Sequence, residues 1–206
     1  MNKKADDIVL KLINVYKKYG SQKVFEKFNM SLKKNSINAV LGPSGVGKTT
    51  LLNIISGIEN IDGGKVIFNG NNISYIFQED RLISWLNVYD NIAFVLKSNY
   101  SKKIIKNTID KYLTLVKLQN YKDKFPRELS GGMKRRVAIA RAFAYQSDLL
   151  LMDEPFKGLD MELKKDIIDE FLNIWSYDRR TVVLVTHDIE EAKYMADKIY
   201  FLEKSN

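Results

Sequence analysis

An α/β fold is predicted for this 206-residue chain, with a largely parallel core sheet, an antiparallel β subdomain at the N-terminus and a helical subdomain inserted in the core. Three features of the sequence predict it. Ile37–Leu41 (INAVL), Ser74–Phe77 (SYIF), Leu149–Met152 (LLLM) and Thr181–Val185 (TVVLV) are short, nearly continuous apolar runs. Strands buried on both faces read this way, and each run leads into polar residues at its C-terminal end. Ile8–Val15 and Val24–Leu32 instead alternate apolar and polar residues, as strands with one wet face do. The second of these runs into a Lys33-Lys34-Asn35 turn, so the pair is expected in an antiparallel sheet. Between Trp85 and Leu129 the period changes. Ile105, Ile109, Tyr112 and Val116 recur at helical spacing with lysines opposite, which places a helical subdomain at about residues 85–129, closed by Phe125-Pro126.

Composition fits one domain over residues 1–206. No linker rich in Pro, Gly or Ser divides the chain, and 45% hydrophobic with 28% charged residues describes an ordinary globular protein. Cysteine is absent, which excludes disulfides, thiolate catalysis and Cys-based zinc sites, and a single histidine excludes a multi-His metal centre. The net charge of +8 raises nucleic acid and anionic lipid as partners. Residues 1–50 hold ten lysines against three acids, so nearly all the excess lies there. Those lysines are spread over alternating strands without an Arg-rich helix, zinc motif or aromatic platform. A solvated lysine-rich face is the reading, and no nucleic acid is expected. The apolar runs are too short to span a bilayer and the first residues lack an apolar leader, so a cytoplasmic protein is expected.

The run Gly42-Pro43-Ser44-Gly45-Val46-Gly47-Lys48-Thr49 follows a strand pattern and precedes the apolar TLLNIISGI, the context a Walker A motif requires. Its small residues let the loop wrap a β-phosphate with the N–H groups of Gly45, Gly47, Lys48 and Thr49 turned inward. Lys48 brings a charge to the β- and γ-oxygens, and the Thr49 hydroxyl is a ligand for Mg²⁺. Asp153, at the end of the buried LLLM strand, is a second Mg²⁺ ligand, and the adjacent Glu154 is placed to polarise an attacking water. His187 and Gln78 stand just beyond two further strand ends, His187 as a γ-phosphate contact and Gln78 as a contact to Mg²⁺ or the attacking water. Ser130-Gly131-Gly132 opens a basic helix, a geometry that offers free N–H groups to an anion. It has no counterpart of Lys48 and no Mg²⁺ ligand of its own, so it can complete a nucleotide site without constituting one.

In this order the motifs resemble the ATP-binding subunits of ABC transporters. The resemblance covers nearly the whole chain: Walker A at Gly42–Thr49, the Q-loop Gln78, the signature LSGGM at Leu129–Met133, Walker B ending at Asp153, the catalytic-glutamate position Glu154, a D-loop ending at Asp160 and the switch histidine His187. Tyr19, 23 positions before Gly42, matches the aromatic that stacks on adenine. The resemblance implies the P-loop NTPase fold of ABC ATPases, with a RecA-like core, and ATP with Mg²⁺ as ligands. It implies Glu154, His187, Gln78 and Lys48 as the catalytic set. Nucleotide contacts would come from Tyr19, the whole loop through Thr49 and Thr50, Ser130, Gly131, Gly132 and Asp160; Thr49, Gln78 and Asp153 would hold the metal.

It further implies a head-to-tail pair of ATPase subunits, identical or sister chains, each signature closing over the partner's ATP. A membrane permease would seat in the groove of the Q-loop and helical subdomain, at the cytoplasmic face of the membrane, with a solute-binding protein outside. Tyr75–Phe94 (YIFQEDRLISWLNVYDNIAF) is most similar to importers of nitrate, sulfonate and taurine type. Importers of pyrimidine-type thiamine precursors share these features, so the solute is left open. An exporter ATPase is the same-fold alternative; a soluble ATPase acting on nucleic acid, or a regulator without turnover, fits the motif set less well. Three features depart from the pattern: Met133 replaces the usual Gln, Gly158 the usual Ala, and only seven residues separate Gly70 from Gln78. The chain also ends soon after IYFL, which reads as a compact ATPase without C-terminal regulatory additions.

Overall fold

The computed structural model describes residues 7–203. In chain order its first elements are β1 (Ile8–Tyr19), β2 (Gln22–Lys33), β3 (Ile37–Leu41), α1 (Lys48–Ile55), β4 (Gly63–Phe68) and β5 (Ile73–Ile76). The helices α2 (Val88–Ala93), α3 (Lys102–Leu115) and α4 (Gly131–Ala144) follow. The last elements are β6 (Leu149–Asp153), α5 (Met161–Tyr177), β7 (Thr181–Thr186), α6 (Ile189–Met195) and β8 (Lys198–Phe201). Among the described residues the chain divides into two compact units. The first comprises residues 7–73, 147–154 and 179–203, and the second comprises Ser74–Gln146 and Pro155–Asp178.

The first unit contains two sheets. β1 pairs antiparallel with β2 on one side and β4 on the other. The alternation read in β1 and β2 holds: Leu10, Leu12 and Val15 are buried while Lys11 and Lys18 point to water. Both strands run longer than the apolar pattern suggested, because Lys17, though charged, lies inside. Its ammonium bonds to the Glu59 carboxylate and the Asn60 carbonyl. β4 was not read from the sequence, although GGKVIF carries a faint alternation after a Gly-Gly turn signal.

The second sheet of this unit supplies its core. β6, β7, β3 and β8 lie side by side in that order, and the paired strands run parallel. All residues of β3 and β7 are buried, which is why they read as unbroken apolar runs. Asn38 within β3 and Thr181 and Thr186 at the ends of β7 are the buried polar residues of these strands, and the Asn38 amide is bonded to Ser36 Oγ at 2.9 Å.

The second unit is helical. α3 buries Ile105, Ile109, Tyr112 and Leu113 along one face, the stripe its period predicts. Phe143 of α4 lies 6.3 Å from the Tyr112 ring and 5.5 Å, edge-on, from Phe171 of α5, with both phenylalanines fully buried. Arg136 of α4 forms a two-pronged pair with Glu170 of α5 at 2.6 and 3.2 Å, so a buried carboxylate is satisfied as the helices meet. Helix starts are capped by side chains: Asn87 for α2, Ser130 for α4 and Asp160 for α5. This unit begins before residue 85 and includes α4 and α5 beyond residue 129. Among the described residues no helix is long and apolar enough to cross a membrane.

In the antiparallel sheet one glycine carries a steric requirement of its own. Gly64 has φ +89°, and a Cβ there would lie 2.2 Å from the Asn14 carbonyl oxygen, at the irregularity between Ile13 and Tyr16 in the β1–β4 pairing. Gly20, in the β1–β2 turn, also has positive φ but opens to free space. Gly64→Ala is expected to cost more than about 2 kcal/mol in denaturant unfolding, and Gly20→Ala about 1 kcal/mol, the left-handed backbone term alone. Equal losses would show that the Asn14 approach is not what demands glycine.

Candidate functional site

In-register parallel pairing brings several of the expected site residues of the first unit to one edge. Leu41 pairs with Thr186 and Asp153 with Val185. The next residues along, Gly42, His187 and Glu154, therefore leave the sheet at nearly the same level. This carboxyl edge is where open parallel sheets place ligands.

The loop from Gly42 to Gly47 turns back sharply and hands the chain to α1. Gly45 and Gly47 have φ of +76° and +108°. Successive turns of this kind point backbone N–H groups into one concavity. Gly47 caps α1 without a side-chain bond, leaving the first amides of the helix open to an anion. No larger residue fits there, since a Cβ would stand 2.4 Å from a Val24 methyl. Lys48 is buried, and its ammonium donates to the Gly42 and Pro43 carbonyls at 2.7 and 3.0 Å. Those bonds fold the side chain over the loop, and a third N–H remains for a further acceptor. Tyr19, half exposed at the tip of the β1–β2 hairpin, has the Lys17 ammonium 4.9 Å from its ring centre. That hairpin reaches the loop through Val24 and Phe25, which border Gly47.

Opposite the loop, Thr49 donates to the Asp153 carboxylate at 3.1 Å. Glu154 follows in a left-handed backbone conformation, φ 42°, which is costly for a residue with a side chain. Its amide donates to the Val185 carbonyl at 2.9 Å, tying the kink to the neighbouring strand. A Glu154 carboxylate oxygen lies 3.4 Å from His187 Nδ1. The carboxylate is nearly buried, whereas the imidazole is more than half exposed. The first unit thus gathers Lys48, Thr49, Asp153, Glu154 and His187.

The second unit carries the remaining expected residues. Gln78 is exposed just beyond β5. Ser130 is exposed and its hydroxyl oxygen accepts from the Met133 amide at 3.3 Å, which leaves the hydroxyl proton available to an acceptor. Gly131 is open, while a Cβ on Gly132 would meet Leu163 of α5 at 3.0 Å. Asp160 caps α5 by accepting from the Leu163 amide at 2.9 Å, and Gly158 has φ +80°, so glycine suits the bend where alanine is usual. The turn before α4 and the start of α5 therefore share Leu163.

Sequence reading missed the latch behind His187. Thr186, wholly buried, accepts from the Asp188 amide at 3.0 Å and donates to the buried Glu191 carboxylate at 2.7 Å. Asp188 in turn caps α6 by accepting from the Glu190 and Glu191 amides. A capping Asp followed three residues on by Glu was the available signal, but Glu191 reaches the preceding threonine.

Comparison with known proteins gives the family. The ABC transporter family model matches residues 25–157, and the chain belongs to that family. It is 40% identical over 193 residues to an aliphatic sulfonates import ATP-binding protein, SsuB, of Bacillus cereus, covering 90% of this chain and 76% of that one. It is 41% identical over 209 residues to the spermidine/putrescine import ATP-binding protein PotA of Clostridium acetobutylicum, covering 96% of this chain and 59% of that one. The solved structure of cbiO1 from Clostridium perfringens, part of the ABC transporter complex cbiONQ, matches with a TM-score of 0.88 at 27% identity. That match covers 96% of this chain and 85% of cbiO1. The chain is an ATP-binding, ATP-hydrolysing member of the family with the α/β architecture its sequence predicts.

The latch generates an expectation. Thr186→Val removes both bonds of the buried hydroxyl at nearly constant volume, at a cost of about 1–3 kcal/mol of stability. ATP turnover should fall while ATP affinity stays near that of the parent. Turnover equal to that of the parent, measured well below the unfolding temperature, would show that the latch has no part in turnover.

Proposed function

We propose that this ATPase powers an importer of a small solute, of the sulfonate type, by working in pairs on a membrane permease at the cytoplasmic face. The observation that carries the residue assignments is the gathering of Lys48, Thr49, Asp153, Glu154 and His187 at one sheet edge, beside a loop whose amides converge. ATP lies with its phosphates in the Gly42–Thr49 loop, against the Lys48 ammonium, and Thr50 follows at the start of α1. Adenine stacks on Tyr19. Thr49 and Asp153, with Gln78, would hold Mg²⁺; hydroxyl and carboxylate oxygens suit that hard cation, and their 3.1 Å separation in the first unit fits a shared ligand. When bound, the metal neutralises charge on the β- and γ-phosphates.

Glu154 orients and polarises the attacking water, and His187, held beside it, contacts the γ-phosphate. Catalysis is then mostly positioning and electrostatics. The Ser130-Gly131-Gly132 turn, with Asp160, closes over the nucleotide of a second copy or a sister chain, because its amides and free hydroxyl proton suit an anion that the turn has no cation of its own to hold. An external solute-binding protein delivers the solute to the permease. The import reading and the sulfonate class follow from SsuB; PotA, similarly identical, is named for polyamines, so the solute rests on the Tyr75–Phe94 resemblance as well.

Replacing the water-polarising carboxylate should halt hydrolysis and preserve phosphate binding, so closed pairs accumulate. Light scattering on a sizing column, with and without MgATP, should show an ATP-dependent dimer for Glu154→Gln and a monomer for the parent. A Glu154→Gln chain that binds ATP and stays monomeric would rule out pairing of identical copies.

A further inference from the structure

α4 begins at the Ser130 turn, and two of its arginines are committed to the backbone that carries Gln78. Arg135 is almost fully buried, an expensive place for a guanidinium. It donates to the Phe77 carbonyl at 2.8 Å and to the Gln78 carbonyl at 2.6 Å, and its third nitrogen lies 3.2 Å from the Asp80 carboxylate. Two turns further along, Arg141 donates to the Arg81 carbonyl and to the Asp80 carbonyl, both at 2.9 Å. Residues 77–81 thus offer four carbonyls to one helix. They form no regular secondary structure, so those carbonyls have no strand or helix partners of their own.

Side chains stiffen the same stretch. The Arg81 guanidinium lies 3.9 Å from the Phe77 ring centre, and Phe77 stacks on Tyr75 with ring centres 4.1 Å apart. Arg81 is held at φ 44°, a left-handed position that Arg141 secures through its carbonyl. Burial pushes the Asp80 carboxyl up, and Arg135, Lys134 and Arg141 oppose that push. Arg136, the next residue on the helix, turns the other way, to Glu170 of α5, and so belongs to packing alone.

We infer that Arg135 is a positioning residue for ATP turnover: its planar fork fastens the backbone of Gln78 to the helix that carries the Ser130 turn, with Arg141 as a second fastening. Gln78 and the signature turn then move as one body, so closure at one is registered at the other. The inference rests on the roles proposed above for Gln78 and Ser130. A lysine cannot replace the fork, because one ammonium on a flexible stem does not hold two adjacent carbonyls in fixed directions.

The test compares parent, Arg135→Ala, Arg135→Lys and Arg136→Ala as full chains, each well below its unfolding temperature, by backbone hydrogen exchange and by ATP turnover. Both Arg135 variants should exchange faster at residues 77–81, with the loop at 42–49 unchanged. Their kcat should fall on the order of 10- to 100-fold while KM changes by less than about threefold, the signature of misplacement rather than lost binding. Arg136→Ala should lose stability without that split. Unchanged exchange at 77–81, or an equal fall in kcat for Arg136→Ala, would overturn the inference. If the parent itself shows no turnover, the proposed function is at fault, and exchange alone decides: faster exchange at 77–81 supports the fastening and parent-like protection overturns it.

Discussion

The parallel register of β3, β7 and β6 is the constraint on which the rest of the first unit depends. Because Leu41 stands beside Thr186 and Asp153 beside Val185, three chain segments far apart in sequence end level with one another. A shift of one residue in any strand would reverse the faces of its side chains. It would also move Gly42, Glu154 or His187 about 3.3 Å along the edge, a displacement larger than hydrogen-bonded catalysis tolerates. Full burial of β3 and β7 fixes that register from both sides, so the apolar core and the levelling of these strand ends have one cause.

Strain and polar burial are concentrated where the register delivers the residues of the proposed site. Glu154 adopts a left-handed backbone that strand geometry disfavours, and the Val185 carbonyl holds it there. Thr186 and Glu191 are buried polar residues whose partners are each other and the Asp188 turn. Lys48 commits two of its donors to its own loop. Each would be a fault in an ordinary core, and each belongs to a strand end, the turn that follows it or the phosphate loop. The helical unit solves the same problem in a different form, with the buried Arg135 and the half-buried Arg141 binding carbonyls that no strand or helix satisfies.

What the sequence disclosed follows from the range of the interaction involved. Walker A, the signature turn and the buried strands are local patterns, in which neighbours along the chain carry the meaning. The helix at Lys102–Leu115 was legible for the same reason, through Ile105, Ile109 and Tyr112. β4 was not, because Gly64 is required by Asn14, fifty positions earlier. Nor was the grip of Arg135 on the carbonyls of Phe77 and Gln78, which is a bond to backbone and leaves no complementary residue type to read. The left-handed turn at Glu154 was hidden too, since a glutamate gives no hint of positive φ. Tyr19 and Asp160 were legible only through the family's motif order, because each is exposed and ordinary in its own surroundings.

The absence of native cysteine makes trans-completion directly measurable. Chains carrying Ser44→Cys would be mixed with chains carrying Gly131→Cys, both in the Glu154→Gln background, and oxidised with and without MgATP. Both positions are exposed, and a side chain at Gly131 meets open space. A loop in one copy closed by the signature turn of another should give a mixed disulfide dimer in MgATP and little without it. Mixed dimers that form equally without nucleotide, or a nucleotide-dependent dimer joined only between like chains, would contradict the pairing of these two turns.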